Sequence, residues 1–143
     1  MAEVTEILSS KIEKKVPARS GIGIQSSSGE VSISADGYSI TNGCMLGMFN
    51  LQKGQRVLDA ILSSEDVDSG SGVVMEVKGV GDTTSITLLD SSTIGQAGGV
   101  ARASKNIPYE LPEDMRFAVK LATKPATQKA GKVSLTVIHT NNF

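Results

Sequence analysis

The sequence predicts an all-β protein: a β-sandwich, jelly-roll-like, preceded by an N-terminal arm or short helix. Three observations carry this expectation. From Glu30 onward, apolar residues recur with period two in short runs, as in strands with one buried face. Turn signals separate the runs: Asp36-Gly37, Lys53-Gly54, Gly79 to Asp82, and Pro112-Glu113-Asp114. About eight short strands so spaced suit a sandwich or barrel. Finally, two Tyr, three Phe and no Trp leave the core to Val, Ile and Leu.

Taken in order, residues 1–29 read as arm and linker and residues 30–143 as the sandwich domain. Val4, Ile7, Leu8 and Ile12 recur at three- and four-residue spacing until Pro17, which fits a helix. A helix this short is marginal alone, so an extended arm and a docked helix both stay open. Lys11, Lys14, Lys15 and Arg19 face a single Glu13. They form either a solvated charged face or an arm that lies along a partner, and as candidate contact residues they belong to the second reading. Gly21, Gly23 and Ser26–Gly29 read as a flexible connector.

Val31, Ile33 and Ala35 alternate with polar residues up to the Asp36-Gly37 turn, and Tyr38–Thr41 reads as the returning strand. Met45–Leu51 is a further strand. Gln55–Ser63 fits helix or strand by periodicity; its shortness and the opening Gly54 favour strand. Ser63–Gly72 is a polar loop. Val73–Val77 and Thr84–Leu89 follow as strands. Met115–Ala122 and Lys132–Thr140 alternate most cleanly and are expected to pair as antiparallel neighbours, with Thr123–Gly131 as a long turn between them. Ile138 breaks the phase of the last strand.

The composition excludes several functions. A net charge of −1 gives no whole-chain argument for nucleic acid or anionic membrane. No stretch approaches the roughly 20 apolar residues of a membrane span. Glu3 and Glu6 stand where a signal peptide would be basic. The single cysteine, Cys44, forms no internal disulfide and no CxxC zinc site.

No catalytic constellation emerges. His139, the single histidine, has no acidic neighbour in sequence to orient it and reads as a surface or satisfied side chain rather than a base. Cys44 reads as a small buried thiol. Glu65, Asp66 and Asp68 lack the third acid of a helix–loop–helix calcium loop, and Glu76 is misplaced for one, so a solvated loop without metal is the expectation there, with a weak calcium site as the alternative. Gly95-Gln96-Ala97-Gly98-Gly99 is not followed by Lys-Ser/Thr, so it is not a phosphate loop. No cofactor is expected. The segment Thr93–Ala103 reads instead as a close-packed crossing between the two halves of a sandwich. Its glycines let backbone pass, and Gln96 and Arg102 are its candidate contact groups, within the domain or to a neighbour.

Several stretches taken together resemble a known family. Lys53-Gly54-Gln55-Arg56-Val57-Leu58-Asp59-Ala60-Ile61-Leu62 is followed by Val67-Asp68-Ser69-Gly70 and Ser92-Thr93-Ile94-Gly95-Gln96-Ala97-Gly98-Gly99, then by Ala122–Gly131 and Val133–Thr140. Across about residues 45–140 the chain is similar to tailed-bacteriophage virion structural proteins, some of which look like capsid decoration, or cement, proteins. The resemblance implies a β-sandwich or jelly roll attached outside a capsid shell, contact with the major capsid protein, and a homotrimer. It also implies a virion protein made in the host cytoplasm, without enzymatic activity. A carbohydrate-binding or adhesin module of a phage fibre or tail is the alternative, and five aromatics in all count against a sugar platform.

Overall fold

The computed structural model describes residues 2–9 and 24–140. Within them lie β1 (Ala2–Leu8), β2 (Ile24–Ile33), β3 (Tyr38–Leu51), β4 (Arg56–Ser64), β5 (Val74–Val80), β6 (Ser85–Ser92), β7 (Gly99–Arg102), β8 (Tyr109–Glu110), β9 (Met115–Thr123) and β10 (Gly131–Thr140). One sheet has the order β1-β3-β9-β5-β6; the other has β2-β10-β4-β7, with β8 also paired to β4. The chain changes sheet at most of its connections, which gives the expected jelly-roll-like sandwich.

Period-two patterning places the core. In β10, Val133, Leu135, Val137 and His139 point inward and are buried, while Lys132, Ser134, Thr136 and Ile138 alternate outward. Facing them from the first sheet are residues such as Leu46, Met75, Phe117 and Leu121, also fully buried. Phe49 and Phe117, paired across β3 and β9, stack with centroids 5.9 Å apart. Aliphatic side chains fill most of the remaining core, as the scarcity of aromatics requires.

The structure corrects six local expectations. The helical spacing of Val4, Ile7 and Leu8 belongs to a strand: β1 runs parallel to β3, pairing Val4 with Ile40 and Ile7 with Leu46. A register irregularity between Val4 and Glu6 resets the pleat, so two apolar residues three apart both pack on the core. Ile12 lies outside the described residues.

Ser26–Gly29 is not a connector but part of β2, paired along β10 from Ile24↔Thr140 to Ile33↔Gly131. Gly29 is there for close approach: a Cβ at this position would lie 2.5 Å from the Met48 carbonyl oxygen of the facing sheet. The runs Tyr38–Thr41 and Met45–Leu51 join into one long β3, through Gly43 at φ +83°. The strand after Asp36-Gly37 does not return beside β2 but enters the other sheet.

The last two strands are not neighbours either. β9 lies between β3 and β5, and β10 between β2 and β4. Alternation requires one buried face, and two strands in different sheets of a sandwich satisfy it as well as two side by side. Likewise Ile138 does not break the phase of its strand, because His139 takes the next inward position.

Candidate interaction surface

At one end of the sandwich the acidic loop closes on itself. Asp68 is 1% exposed. Its Oδ1 accepts the N–H groups of Gly70 and Thr127, both at 2.8 Å. Its Oδ2 accepts those of Gly72 at 2.8 Å, Val73 at 2.9 Å and Ala126 at 2.9 Å. Burial pushes this carboxyl up, but the hydrogen bonds from Thr127, Ala126, Gly72 and Val73 outweigh it and hold the group well below the ordinary carboxylate range. A ring of converging N–H donors suits an anion, the carboxylate itself, and repels a cation. The flanking acids are engaged too: Asp66 meets Lys129 Nζ at 3.1 Å, and Glu65 accepts the Lys132 N–H at 2.8 Å. Among the described residues no group of three or more His, Cys, Asp or Glu is placed to hold a metal.

Thr93–Ala103 crosses between the sheets, from β6 in the first to β7 in the second, through a 3-10 turn at Ile94–Gln96. Gly95 is buried there; a Cβ would lie 2.5 Å from Met75 Cε and 3.1 Å from Val73 Cγ1. Gly98 sits at φ +91°, where a side chain is strained, and its N–H donates to Ile94 O at 2.6 Å. Gln96 turns inward, its Nε2 donating to Val73 O at 3.0 Å. Arg102 stays on the surface with its side chain 69% exposed and Nε 3.7 Å from Asp59 Oδ2. Lys11, Lys14, Lys15 and Arg19 lie outside the described residues.

His139 and Cys44 stand in different sheets. His139 is fully buried, with Nε2 2.9 Å from Ser27 Oγ, while Nδ1 makes no hydrogen bond of good geometry. Burial lowers its pKa, and a backbone contact at Thr140 offsets this only in part. Cys44 is fully buried, and its thiol is pushed up to about 11, first by burial and then by the charge of Glu6. A buried neutral imidazole and a buried protonated thiol in separate sheets do not make a nucleophile–base pair.

The outer face of the first sheet carries a groove of about 470 Å³. Small residues make its floor: Gly47 and Ala118 pair across β3 and β9, and Leu8 of β1, 44% exposed, stands opposite Gly47. Met45 and Val80 add apolar wall, and Glu6, Asp82, Asp114 and Arg116 supply the charge. Arg116 is 3.6 Å from Glu6. Asp114 Oδ1 accepts the Lys53 N–H at 2.8 Å.

Sequence reasoning missed both Asp68 and the groove. Asp68-Ser69-Gly70 has the form of a turn in which a carboxylate caps nearby backbone, and that signal was present. The partners at Ala126 and Thr127 lie 58 and 59 residues away, beyond the reach of local pattern. The groove arises from strand register, which brings Gly47 beside Ala118; neither residue signals it alone.

No protein-family model matches the chain, and no curated protein matches it. Solved structures do. A chain in the capsid of Ralstonia phage GP4 is similar with a TM-score of 0.76 at 23% identity, covering 96% of this chain and 99% of that one. A chain in the capsid asymmetric unit of cyanophage Pam1 gives a TM-score of 0.69 at 22% identity, covering 92% and 96%. One in the acid-stable capsid of Helicobacter pylori bacteriophage KHP30 gives 0.51 at 15% identity, covering 84% and 93%. At these identities the likeness is one of fold: this chain is built on the same sandwich as chains found in three phage capsids.

Proposed function

We propose that the protein is a non-enzymatic structural component of a phage virion, which decorates and stabilises the capsid shell by binding the outside of major capsid protein assemblies. The observation that carries this reading is the end-to-end correspondence with the GP4 capsid chain, 96% of one chain against 99% of the other. The match runs over nearly the whole of both chains. The chemistry agrees: the buried histidine, the buried thiol and the capped Asp68 are built into the core and the loop closure, where they support packing rather than turnover.

A small domain repeated over a shell adds modest contacts at many seams, and multivalent attachment makes weak interfaces hold. A homotrimer would present the same edge to each underlying subunit. The test is to add purified protein to shells assembled from the major capsid protein alone. Co-sedimentation that saturates at a fixed ratio per shell, with density outside the shell in a reconstruction, is the expected result. Protein that stays in the supernatant at saturating concentration would overturn the proposal.

A further inference from the structure

The sequence holds one Asn-Gly pair, Asn42-Gly43, and the fold sets it in an unpaired stretch of β3. β1 pairs with β3 at Ile40 and again at Met45, and β9 takes up its own pairing at Cys44. Neither ladder pairs Thr41, Asn42 or Gly43. Asn42 is exposed. Gly43 stands at φ +83°. Apart from its chain neighbours, the first atom that a Cβ there would meet is Lys120 Cε at 3.8 Å, so the backbone has room to turn.

The Asn42 amide is also held ready for attack. The Lys124 backbone N–H donates to its Oδ1 at 2.9 Å. A backbone N–H can only donate, so the carbonyl oxygen and not the NH₂ faces Lys124. A donor on that oxygen stabilises the negative charge that develops there when a nucleophile adds to Cγ, and it leaves Nδ2 as the group to depart. The other described asparagines lack this combination. Asn50 precedes Leu51 and sits in the ladder opposite Arg116. Asn106 precedes β-branched Ile107, and its Nδ2 donates to Thr87 O at 2.7 Å.

We infer that Asn42 is a site of spontaneous deamidation in the folded protein. The Gly43 backbone nitrogen, having given its proton to hydroxide, attacks Asn42 Cγ and forms the new N–C bond. The Cγ–Nδ2 bond breaks, and ammonia departs with a proton taken from water. The product is a five-membered succinimide. Water then adds to either of its carbonyls and a C–N bond opens, giving aspartate by one route and isoaspartate by the other. Water is consumed and ammonia released, with no change of oxidation state. Aspartate keeps the Lys124 N–H as a donor to its Oδ1. The extra backbone carbon of isoaspartate falls where neither ladder fixes the chain, so the fold tolerates both products. The inference concerns the chain by itself and does not depend on attachment to a shell.

The experiment incubates the full-length chain at pH 8.5 in buffer and, in parallel, in guanidinium chloride. Peptide mass spectrometry follows Asn42, Asn50 and Asn106, and isoaspartyl methyltransferase counts isoaspartate. The expected result in buffer is conversion of Asn42 to a mixture of aspartate and isoaspartate, at a rate proportional to hydroxide, while Asn50 and Asn106 stay amides and circular dichroism is unchanged. Lys124→Pro removes the donating N–H. It is expected to slow conversion about tenfold in buffer, the donor being open to water, and to match wild type in guanidinium chloride. Circular dichroism checks that this variant folds. An Asn42 that is still an amide in buffer when the unfolded chain has converted would overturn the inference. So would native Asn50 or Asn106 converting as fast, or equal rates in buffer for wild type and folded Lys124→Pro.

Discussion

The Asp68 carboxylate accepts the Thr127 backbone N–H at 2.8 Å across 59 residues of sequence, and this contact ties the acidic loop to the turn between β9 and β10. Four more N–H groups converge on the same side chain. Hydrogen bonds to a charged acceptor are roughly twice as strong as neutral ones, and buried donors left without a partner carry a full desolvation penalty. Asp68→Asn removes the charge and turns an amide NH₂ toward some of these donors. It is expected to cost about 2–4 kcal/mol, and Asp68→Ala more, read by denaturant unfolding. The pH sign follows from the lowered pKa. The stabilisation is present above the unfolded-state value of about 4 and is lost as pH falls below it toward the folded-state value. Wild-type protein should therefore lose more stability between pH 5 and pH 3 than Asp68→Asn.

Gly98 carries the crossing between sheets at φ +91°, with a prospective Cβ only 3.4 Å from Asp66 N and from Ser64 O. A β-branched residue there meets both backbone strain and crowding. Gly98→Val is expected to destabilise by about 2–3 kcal/mol and to lower the yield of folded, assembling protein. A variant that melts and associates like wild type would contradict this role for the crossing.

What the sequence made legible follows from the range of the forces involved. Alternation and turn residues are local, so the two-sheet class and most strands from Val31 onward could be read directly. The crossing at Thr93–Ala103 was legible because glycine is diagnostic where backbones approach closely. Strand partners were not: β9 and β10 each alternate, and nothing local says that they belong to different sheets rather than side by side in one. β1 was misread because a register irregularity put Val4 and Ile7 on one side of a strand, imitating a helical stripe. The groove depends on Gly47 and Ala118 meeting in register, a property of pairing rather than of either residue.

Cys44 offers a direct check on core packing. Its side chain is fully buried, and its thiol is pushed up to about 11 by burial and then by Glu6, so at pH 8 the reactive thiolate is scarce and shielded. A disulfide reagent such as DTNB is expected to leave the native protein unmodified at pH 8 over the time in which it titrates one thiol per chain in guanidinium chloride. Rapid modification of the native protein would mean that the β3 end of the core opens readily.

His139 gives the chain a second pH-dependent element, in a different window from Asp68. Its ring is enclosed between the sheets, and its Nε2 meets Ser27 Oγ at 2.9 Å on β2. Burial lowers its pKa below the ordinary value, so as pH falls through about 6.5 the unfolded chain binds a proton that the folded chain still refuses. Stability then declines until the folded-state pKa is reached. Between pH 7.5 and pH 5 the wild-type melting temperature is expected to fall, while that of His139→Leu stays nearly level, even if the variant starts lower through loss of the Ser27 contact. Because His139 pairs with Gln25 on β2, amide exchange over Gln25–Ser28 is expected to accelerate in wild type across the same pH range beyond the intrinsic pH dependence, and not in His139→Leu. Parallel pH profiles for the two proteins would show that the buried imidazole does not couple protonation to the hold of β2 on β10.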